Sequence, residues 1–220
     1  MGSQQEPMSR QAPKSEKRRS RLRPDDRRDH LIRTAVTLFA DEGVAATSIV
    51  RLTQAAEVSN GIFYHYFANK QELEAAVAQV VIDDLVARLA VVQQTKSYAD
   101  RIAMGAVGTM RAVAANRELG AITAQYLDER HDVLERSPIQ LESDITEGSH
   151  AGEFAVAEPF PLLVNMLVAT LAVGARSVLA GADADDIGES IAAAHLRILG
   201  IPRKRASLIA SRARAMPSLP

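Results

Sequence analysis

The 220-residue sequence contains no cysteine, and aromatic residues make up only 4% of it. The absence of cysteine excludes disulfide bonds, thiolate metal sites and a cysteine nucleophile, and it agrees with a reducing, cytoplasmic location. Residues 1–30 contain no apolar stretch that would form a signal peptide. Hydrophobic residues account for 47% and charged residues for 24%, as in a soluble globular protein.

The local motifs that indicate catalysis or metal binding are also missing. There is no glycine-rich phosphate loop and no Gly-x-Ser-x-Gly elbow. The five histidines are scattered along the chain. His131 and Glu135 have the spacing of metal ligands on a helix, but a surface ion pair explains them as well. We therefore predict a protein that is not an enzyme and that needs no metal and no cofactor.

The longest apolar run, from Phe160 to Ala175, is too short for an ordinary membrane span. It has sixteen residues and includes Pro161, Asn165 and Thr170, whereas a spanning helix needs about 20 apolar residues. The run is therefore predicted to be a buried helix, and no membrane partner is expected.

The net charge of −1 conceals an uneven distribution. Residues 1–70 carry twelve Lys and Arg against eight Asp and Glu, whereas residues 71–200 carry nine against nineteen. The last segment, 201–220, has five basic residues and no acidic one. One end of the chain can therefore approach a polyanion, whereas the middle cannot.

Apolar residues recur at three- and four-residue spacing, and no segment alternates as a half-buried strand does. Pro24 begins a first helix that Gly43 ends. Thr47 and Ser48 are suited to cap the second helix, Ser59 the third and Asn69 the fourth. The pattern predicts an all-α fold of about nine helices, the later ones over 98–115, 117–127, 129–147, 159–180 and 184–199.

We predict four regions along the chain. They are a disordered basic arm over 1–24, a helix-turn-helix DNA-binding domain over 25–70, a helical effector-binding and dimerisation domain over 71–200, and a basic flexible tail over 201–220. The arm either follows DNA phosphates or enters a minor groove, or it is only a solvated tail.

The segment 59–66 has the properties of a recognition helix. Ile62 and Phe63 can anchor it, while Gly61 lets its backbone approach DNA closely. Lys70 lies at the start of the next helix, where its ammonium and a backbone N–H can share one phosphate. The same residues would also fit a small helical hairpin that binds no DNA.

Residues 38–43 (LFADEG), 58–67 (VSNGIFYHYF) and 69–73 (NKQEL), with Thr47-Ser48 before them, resemble the signature of the TetR family of repressors. The resemblance covers about residues 27–75. It implies a dimer that binds palindromic double-stranded operator DNA and is released by a small-molecule effector. The DNA-binding residues that it implies are Thr47, Ser48, Ser59, Asn60, Gly61, Tyr64, His65, Tyr66 and Lys70.

Three residues depart from the family pattern. Arg51 replaces an acidic or small polar residue, and it either reaches DNA or pairs with Asp41 or Glu42. Glu57 replaces the usual turn glycine. The order Tyr64-His65-Tyr66 replaces the more usual Tyr-Tyr-His.

The segments 159–180 and 184–199 are predicted to form the dimer interface. The first is apolar nearly all round, and a helix of that kind needs a partner beyond its own monomer. Two such helices from each subunit would make a four-helix interface, as the resemblance also implies; the alternative is a monomeric core. The predicted interface residues are Leu163, Leu167, Leu171, Ile187, Ile191 and Ile198.

If the family pattern holds, residues 98–158 enclose a cavity for the effector. The acidity and the few aromatic residues of this region favour an aliphatic or cationic lipophilic molecule. Three alternatives stay open: a regulator that is controlled by a protein partner or acts as an activator without a small ligand, a helical enzyme, and a helical interaction module. The candidate cavity residues, which also suit an ordinary core, are Met104, Met110, Tyr126, His131, Phe154 and Met166.

Overall fold

Helices account for the whole regular structure of the described residues. A computed structural model describes residues 24–89, 92–95, 97–129, 141–156 and 160–217. Over these ranges the chain has no strand, which confirms the predicted all-α fold. It forms a 3₁₀ turn, Val92–Gln94, and ten α-helices: α1 Pro24–Glu42, α2 Ile49–Ala55, α3 Asn60–Tyr66, α4 Lys70–Leu89, α5 Tyr98–Ala115, α6 Arg117–Glu129, α7 Leu141–His150, α8 Phe160–Leu179, α9 Ala184–Ile198 and α10 Arg203–Ala215.

The N-terminal helices begin where the predicted cap residues lie. The hydroxyl groups of Ser48 and Ser59 each accept the backbone N–H three residues further on, at the starts of α2 and α3. Asn69 Oδ1 accepts the Glu72 N–H in the same way. The Glu72 carboxylate accepts the N–H of Ala68, one residue earlier than in a standard capping box. Local side-chain chemistry therefore sets these helix starts.

Two apolar clusters form the core. The first joins α1 to α4 and also includes Ile122 and Tyr126 of α6. The second surrounds α5, which packs against α8, α9 and α10. Gly188 of α9 is so close to α5 that a Cβ there would lie 2.8 Å from the Cα of Val107. Because α6 also packs against α8, it lies between the N-terminal domain and the second cluster.

The prediction of a flexible tail over 201–220 is wrong for residues 203–215, which form α10. Its Ala206, Ile209, Ala210 and Ala213 are buried against the second cluster at three- and four-residue spacing. Arg111 of α5 also fixes its end, because its guanidinium donates to the carbonyl oxygens of residues 214 and 216 at 2.7 and 2.8 Å. The prediction relied on the basic residues and overlooked the amphipathic spacing of the apolar ones.

The apolar helix α8 is not buried on all sides, which corrects a second prediction. Leu162, Met166 and Val173 are about half exposed and, with Ala169, form a stripe along one face. By length and composition alone, residues 161–179 would suffice to cross a membrane, and 39% of that window is buried within the fold.

Other predictions stay untested or differ in their bounds. The arm was predicted over 1–24, and its residues 1–23 lie outside the described residues, as does His131; Pro24 begins α1. Of the predicted helix over 129–147, Glu129 is the last residue of α6, and Leu141 begins α7, which continues to His150. The predicted domain boundary at residue 70 coincides with the start of α4, which also contributes Leu73 and Val77 to the first cluster.

Candidate nucleic-acid interface

Two buried aromatic rings fix the orientation of α3. Phe63 is fully buried and Phe67 is 1% exposed, with ring centroids 5.8 Å apart. The guanidinium of Arg28 lies 5.3 Å from the Phe67 ring centroid, as in a cation–π contact. The face opposite this anchor is open to solvent. Its exposed residues are Ser59, Asn60, Gly61, Tyr64 and His65.

The side chains on this face differ in how freely they can meet a ligand. Tyr64 is 56% exposed, and its ring meets the edge of Phe63 at 5.3 Å. Asn60 Oδ1 accepts a hydrogen bond of 2.8 Å from the hydroxyl of Thr53, so its amide nitrogen is the group that can donate to a base. Tyr66 is half-buried and packs edge-on against His65, so it is the least accessible of the three consecutive rings.

The position of Thr47 corrects the prediction that its side chain contacts phosphate. Thr47 is 1% exposed, and its hydroxyl donates to the carbonyl of Gly43 at 2.9 Å. It therefore stabilises the turn between α1 and α2. The neighbouring Ser48 is exposed at the start of α2, and its hydroxyl can still donate outward while it accepts the Arg51 N–H.

The structure also explains two of the three departures from the family pattern, Arg51 and Glu57. Arg51 pairs with Glu42: its Nε and Nη2 both donate to one carboxylate oxygen, at 2.9 and 2.7 Å. Glu57 has a φ of 54°, in the left-handed region that favours glycine. The turn between α2 and α3 therefore keeps the geometry that a glycine would adopt there, at some cost in stability.

Lys70 lies beside this face and is held by two oxygen atoms. Its Nζ donates to the carbonyl of Val44 at 2.6 Å and lies 3.5 Å from a carboxylate oxygen of Glu74. An ammonium has three donors, so a phosphate can bind beside these partners. Sequence reasoning placed Lys70 correctly at the start of α4 but missed Val44, because a backbone acceptor has no signature in the side-chain pattern.

Comparison with known proteins supports a specific family. A model of bacterial regulatory proteins of the tetR family matches residues 31–77, which are the helices just described. Residues 31–77 are therefore similar to the DNA-binding domain of the TetR family. The repressor KstR2 of Mycolicibacterium smegmatis is 35% identical over 65 residues, which are 30% of this chain and 32% of that protein. The activator FasR of the same organism is 37% identical over 70 residues, 32% of each chain.

These sequence matches cover about a third of this chain, and the chain spans about a third of the length of the relatives it matches. The similarity to solved structures covers more of the chain. RolR in complex with resorcinol has a TM-score of 0.69 and 28% identity over 90% of this chain and 98% of its own. FadR of Bacillus subtilis with stearoyl-CoA has a TM-score of 0.65 over 79% and 99%, at 18% identity, and shows the fold alone. The family and these relatives are regulators, not enzymes.

The predicted cavity residues divide between different parts of the fold, although Met104, Met110 and Phe154 share the second core cluster. Met110 and Phe154 are core residues, and Tyr126 belongs to the N-terminal cluster. Met166 lies on the exposed stripe of α8. Met104 lines a cleft of about 380 Å³, and His131 lies outside the described residues. Met110, Tyr126, Phe154 and Met166 do not line this cleft, and their role in binding an effector stays a prediction.

The cleft lies between the C-terminal ends of α4 and α10, the middle of α5 and the start of α9. Its wall is mainly apolar, and the ion pair between Arg111 and Asp185, at 2.6 Å, forms a polar end. Asp185 has a lowered pKa because it accepts a hydrogen bond from Arg111. The main apolar lining residues are Met104, Val107, Ala112, Ala184, Ala213 and Met216.

The predicted dimer residues fall into two groups. Leu163, Leu167 and Ile191 are at most 8% exposed and belong to the core of one chain, which corrects their assignment to an interface. The other three, Leu171, Ile187 and Ile198, are half-buried against the same core. Larger exposed fractions occur along the stripe than at any of the six predicted residues. The stripe consists of Leu162, Met166, Ala169 and Val173.

Proposed function

We propose that the chain is a cytoplasmic transcriptional repressor that binds palindromic operator DNA as a homodimer and is released by a small-molecule effector. The observation that carries the DNA-binding proposal is the exposed polar face of α3 on a rigid aromatic anchor. A helix of this kind fits a major groove about 12 Å wide. Phe63 and Phe67 hold the helix from its buried side, which leaves Tyr64 and His65 on the exposed side.

The residues around α3 divide into two roles. Ser59, Asn60, Gly61 and Tyr64 lie where they can meet base edges or thymine methyl groups. Ser48 and His65 can contact the flanking phosphates, and Lys70 adds a full positive charge to that contact. Tyr66 is assigned a supporting role, since it is half-buried.

Anisotropy titrations of the full-length chain with labelled DNA test this assignment. Tyr64→Ala removes an exposed ring, and we expect about a tenfold loss of affinity, since contacts of this kind are worth about 1–3 kcal/mol. Lys70→Ala should lower the salt slope by about 0.9 for each subunit. Lys204→Ala, which removes an exposed lysine from α10, is the matched control. If Tyr64→Ala and Lys70→Ala both keep normal helicity and the DNA affinity of the wild type, the proposed DNA interface is wrong.

The exposed stripe of α8 supports the homodimer. Contiguous apolar side chains of this size on one helix face mark an interaction surface in soluble proteins. A second copy related by a two-fold axis would cover the same stripe with its own, and α8 is one of the two helices that the sequence predicts for the interface.

Light scattering of two matched variants tests the interface. Val173 and Leu208 are 56% and 62% exposed, but Val173 lies on the stripe and Leu208 on α10. Val173→Arg should give a monomer, and Leu208→Arg should stay dimeric. A dimer in both variants would place the interface elsewhere.

The cleft beside Arg111 is the proposed effector site. Its volume falls at the lower end of the range for small-molecule sites. Its lining fits a small, mainly apolar molecule with one polar group that meets the Arg111–Asp185 pair. RolR, solved with resorcinol, supports a ligand-binding role for a second domain of this shape.

A thermal-shift screen of small phenols and aliphatic acids, followed by DNA-release assays, tests the effector site. A compound that stabilises the wild type should lose its effect in Ala112→Leu, which narrows the cleft, and keep it in Ala87→Leu on exposed α4 surface. An equal effect in both variants would move the effector site out of the cleft.

An activator is the second candidate, favoured by the name of FasR. Transcription from the bound promoter distinguishes the two, since deletion of a repressor raises it and deletion of an activator lowers it.

A further inference from the structure

The backbone N–H and carbonyl of Val44, in the turn between α1 and α2, link the two domains. Its N–H donates to Gln125 Oε1 of α6 at 3.2 Å. Its carbonyl accepts the ammonium of Lys70 at 2.6 Å. Gln125 Nε2 also donates to the carbonyl of Phe39 at 3.4 Å, so the same amide contacts the last turns of α1. Gln125 of the second domain thus fixes Val44, and Val44 in turn binds the ammonium of Lys70.

The next residue of α6 contacts the other partner of Lys70. The hydroxyl of Tyr126 donates to the backbone carbonyl of Glu74 at 3.1 Å. The Glu74 carboxylate lies 3.5 Å from the Lys70 ammonium. Both oxygen groups around that ammonium, the Val44 carbonyl and the Glu74 carboxylate, therefore belong to residues that α6 touches directly.

The opposite side of α6 packs against α8, which carries the exposed apolar stripe. The contacts are therefore continuous from the proposed dimer helix, through α6, to the ammonium beside the recognition helix. Packed helices move as bodies rather than deforming smoothly. A displacement of α6 would move both hydrogen bonds together.

We propose that Gln125 and Tyr126 are positioning residues that hold Lys70 for its phosphate contact and so couple the second domain to DNA affinity. The proposal rests on the proposed DNA-binding function. Lys70 has a flexible four-carbon stem, and ordering such a side chain costs entropy. With Val44 and Glu74 fixed by α6, that ordering is complete before DNA arrives, and a shift of α6 reverses it.

A double-mutant cycle on the full-length chain tests this coupling. Binding is measured by anisotropy with a mixed-sequence duplex long enough for two half-sites, because a phosphate contact does not depend on sequence. The four proteins are the wild type, Gln125→Ala, Lys70→Met and the double variant. Lys70→Met keeps the apolar stem and removes the charge. Gln79→Ala, an exposed glutamine on α4, is the matched control.

Gln125→Ala should weaken binding about fivefold in the wild-type background, in keeping with one hydrogen bond's net worth of about 1 kcal/mol. It should have less than about a twofold effect in the Lys70→Met background, since there is then no ammonium to position. Tyr126→Phe removes one hydroxyl and keeps the buried ring, and it should show the same dependence on Lys70. Gln79→Ala should have no effect in either background.

Three outcomes would overturn the proposal. An equal loss from Gln125→Ala in both backgrounds would mean a general structural role. No loss in either background, with Tyr126→Phe also silent, would mean that α6 does not position Lys70. If the wild type itself binds no duplex at low salt, the proposed function fails along with the positioning role, whereas the first two outcomes leave that function intact.

Discussion

His195 of α9 should make the stability of the fold depend on pH. The side chain is 2% exposed and lies 2.6 Å from the hydroxyl of Thr170 on α8. Burial lowers its pKa from 6.5 to about 4. As the pH falls below 6.5, the unfolded chain binds a proton that the folded chain excludes. Stability is therefore complete above about pH 6.5 and decreases as the pH approaches 4, by about 3 kcal/mol in total.

Urea unfolding followed by circular dichroism measures this loss at a series of pH values and one protein concentration. His195→Gln can still donate to Thr170 but does not titrate. Acidic residues such as Asp144, whose pKa burial raises, titrate in both proteins and cancel in the comparison. The stability difference between wild type and variant should therefore change by about 3 kcal/mol between pH 7 and pH 4. Parallel stability curves would refute the assignment of a neutral, buried imidazole.

Three further predictions concern stability. Glu57→Gly should stabilise the chain by about 1 kcal/mol, because Glu57 has a φ of 54°, and a lower urea midpoint would contradict this. Gly188→Ala should destabilise it by about 1–3 kcal/mol, because the new Cβ would meet the α5 backbone at 2.8 Å, and an unchanged midpoint would show that the helices can separate freely. Arg111→Met should increase hydrogen exchange at the end of α10, because two carbonyls lose their donor; unchanged exchange would show that packing alone holds the helix.

The N-terminal domain could be predicted well from the sequence, because its helix starts depend on local chemistry. Ser48, Ser59 and Asn69 cap their helices through hydrogen bonds to residues three positions away. Lys70 was placed correctly for the same reason. Its partner Val44 and the contact with Gln125, 81 positions from Val44, depend on tertiary packing that local spacing does not encode.

The second domain was harder to predict because an apolar helix does not reveal which of its faces is covered. Leu167 and Val173 both lie in the same apolar run, but Leu167 is fully buried and Val173 is half exposed. The choice depends on which neighbours approach α8 and from which side. The helix in the tail was missed for a related reason, since Leu208 and Ile209 are its two large apolar residues and only Ile209 is buried.

A DNA footprint upstream of the chain's own gene, with excess competitor DNA at physiological salt, tests the central claim most directly. The account predicts a protected palindrome whose half-sites lie about 34–36 Å apart, or a multiple of that distance. Tyr64→Ala should need about ten times more protein for the same protection, while Leu208→Arg should protect at the wild-type concentration. The wild type would also be tested on DNA fragments from across its genome. The claim would be contradicted if the protein bound these fragments only at low salt and protected no defined sequence.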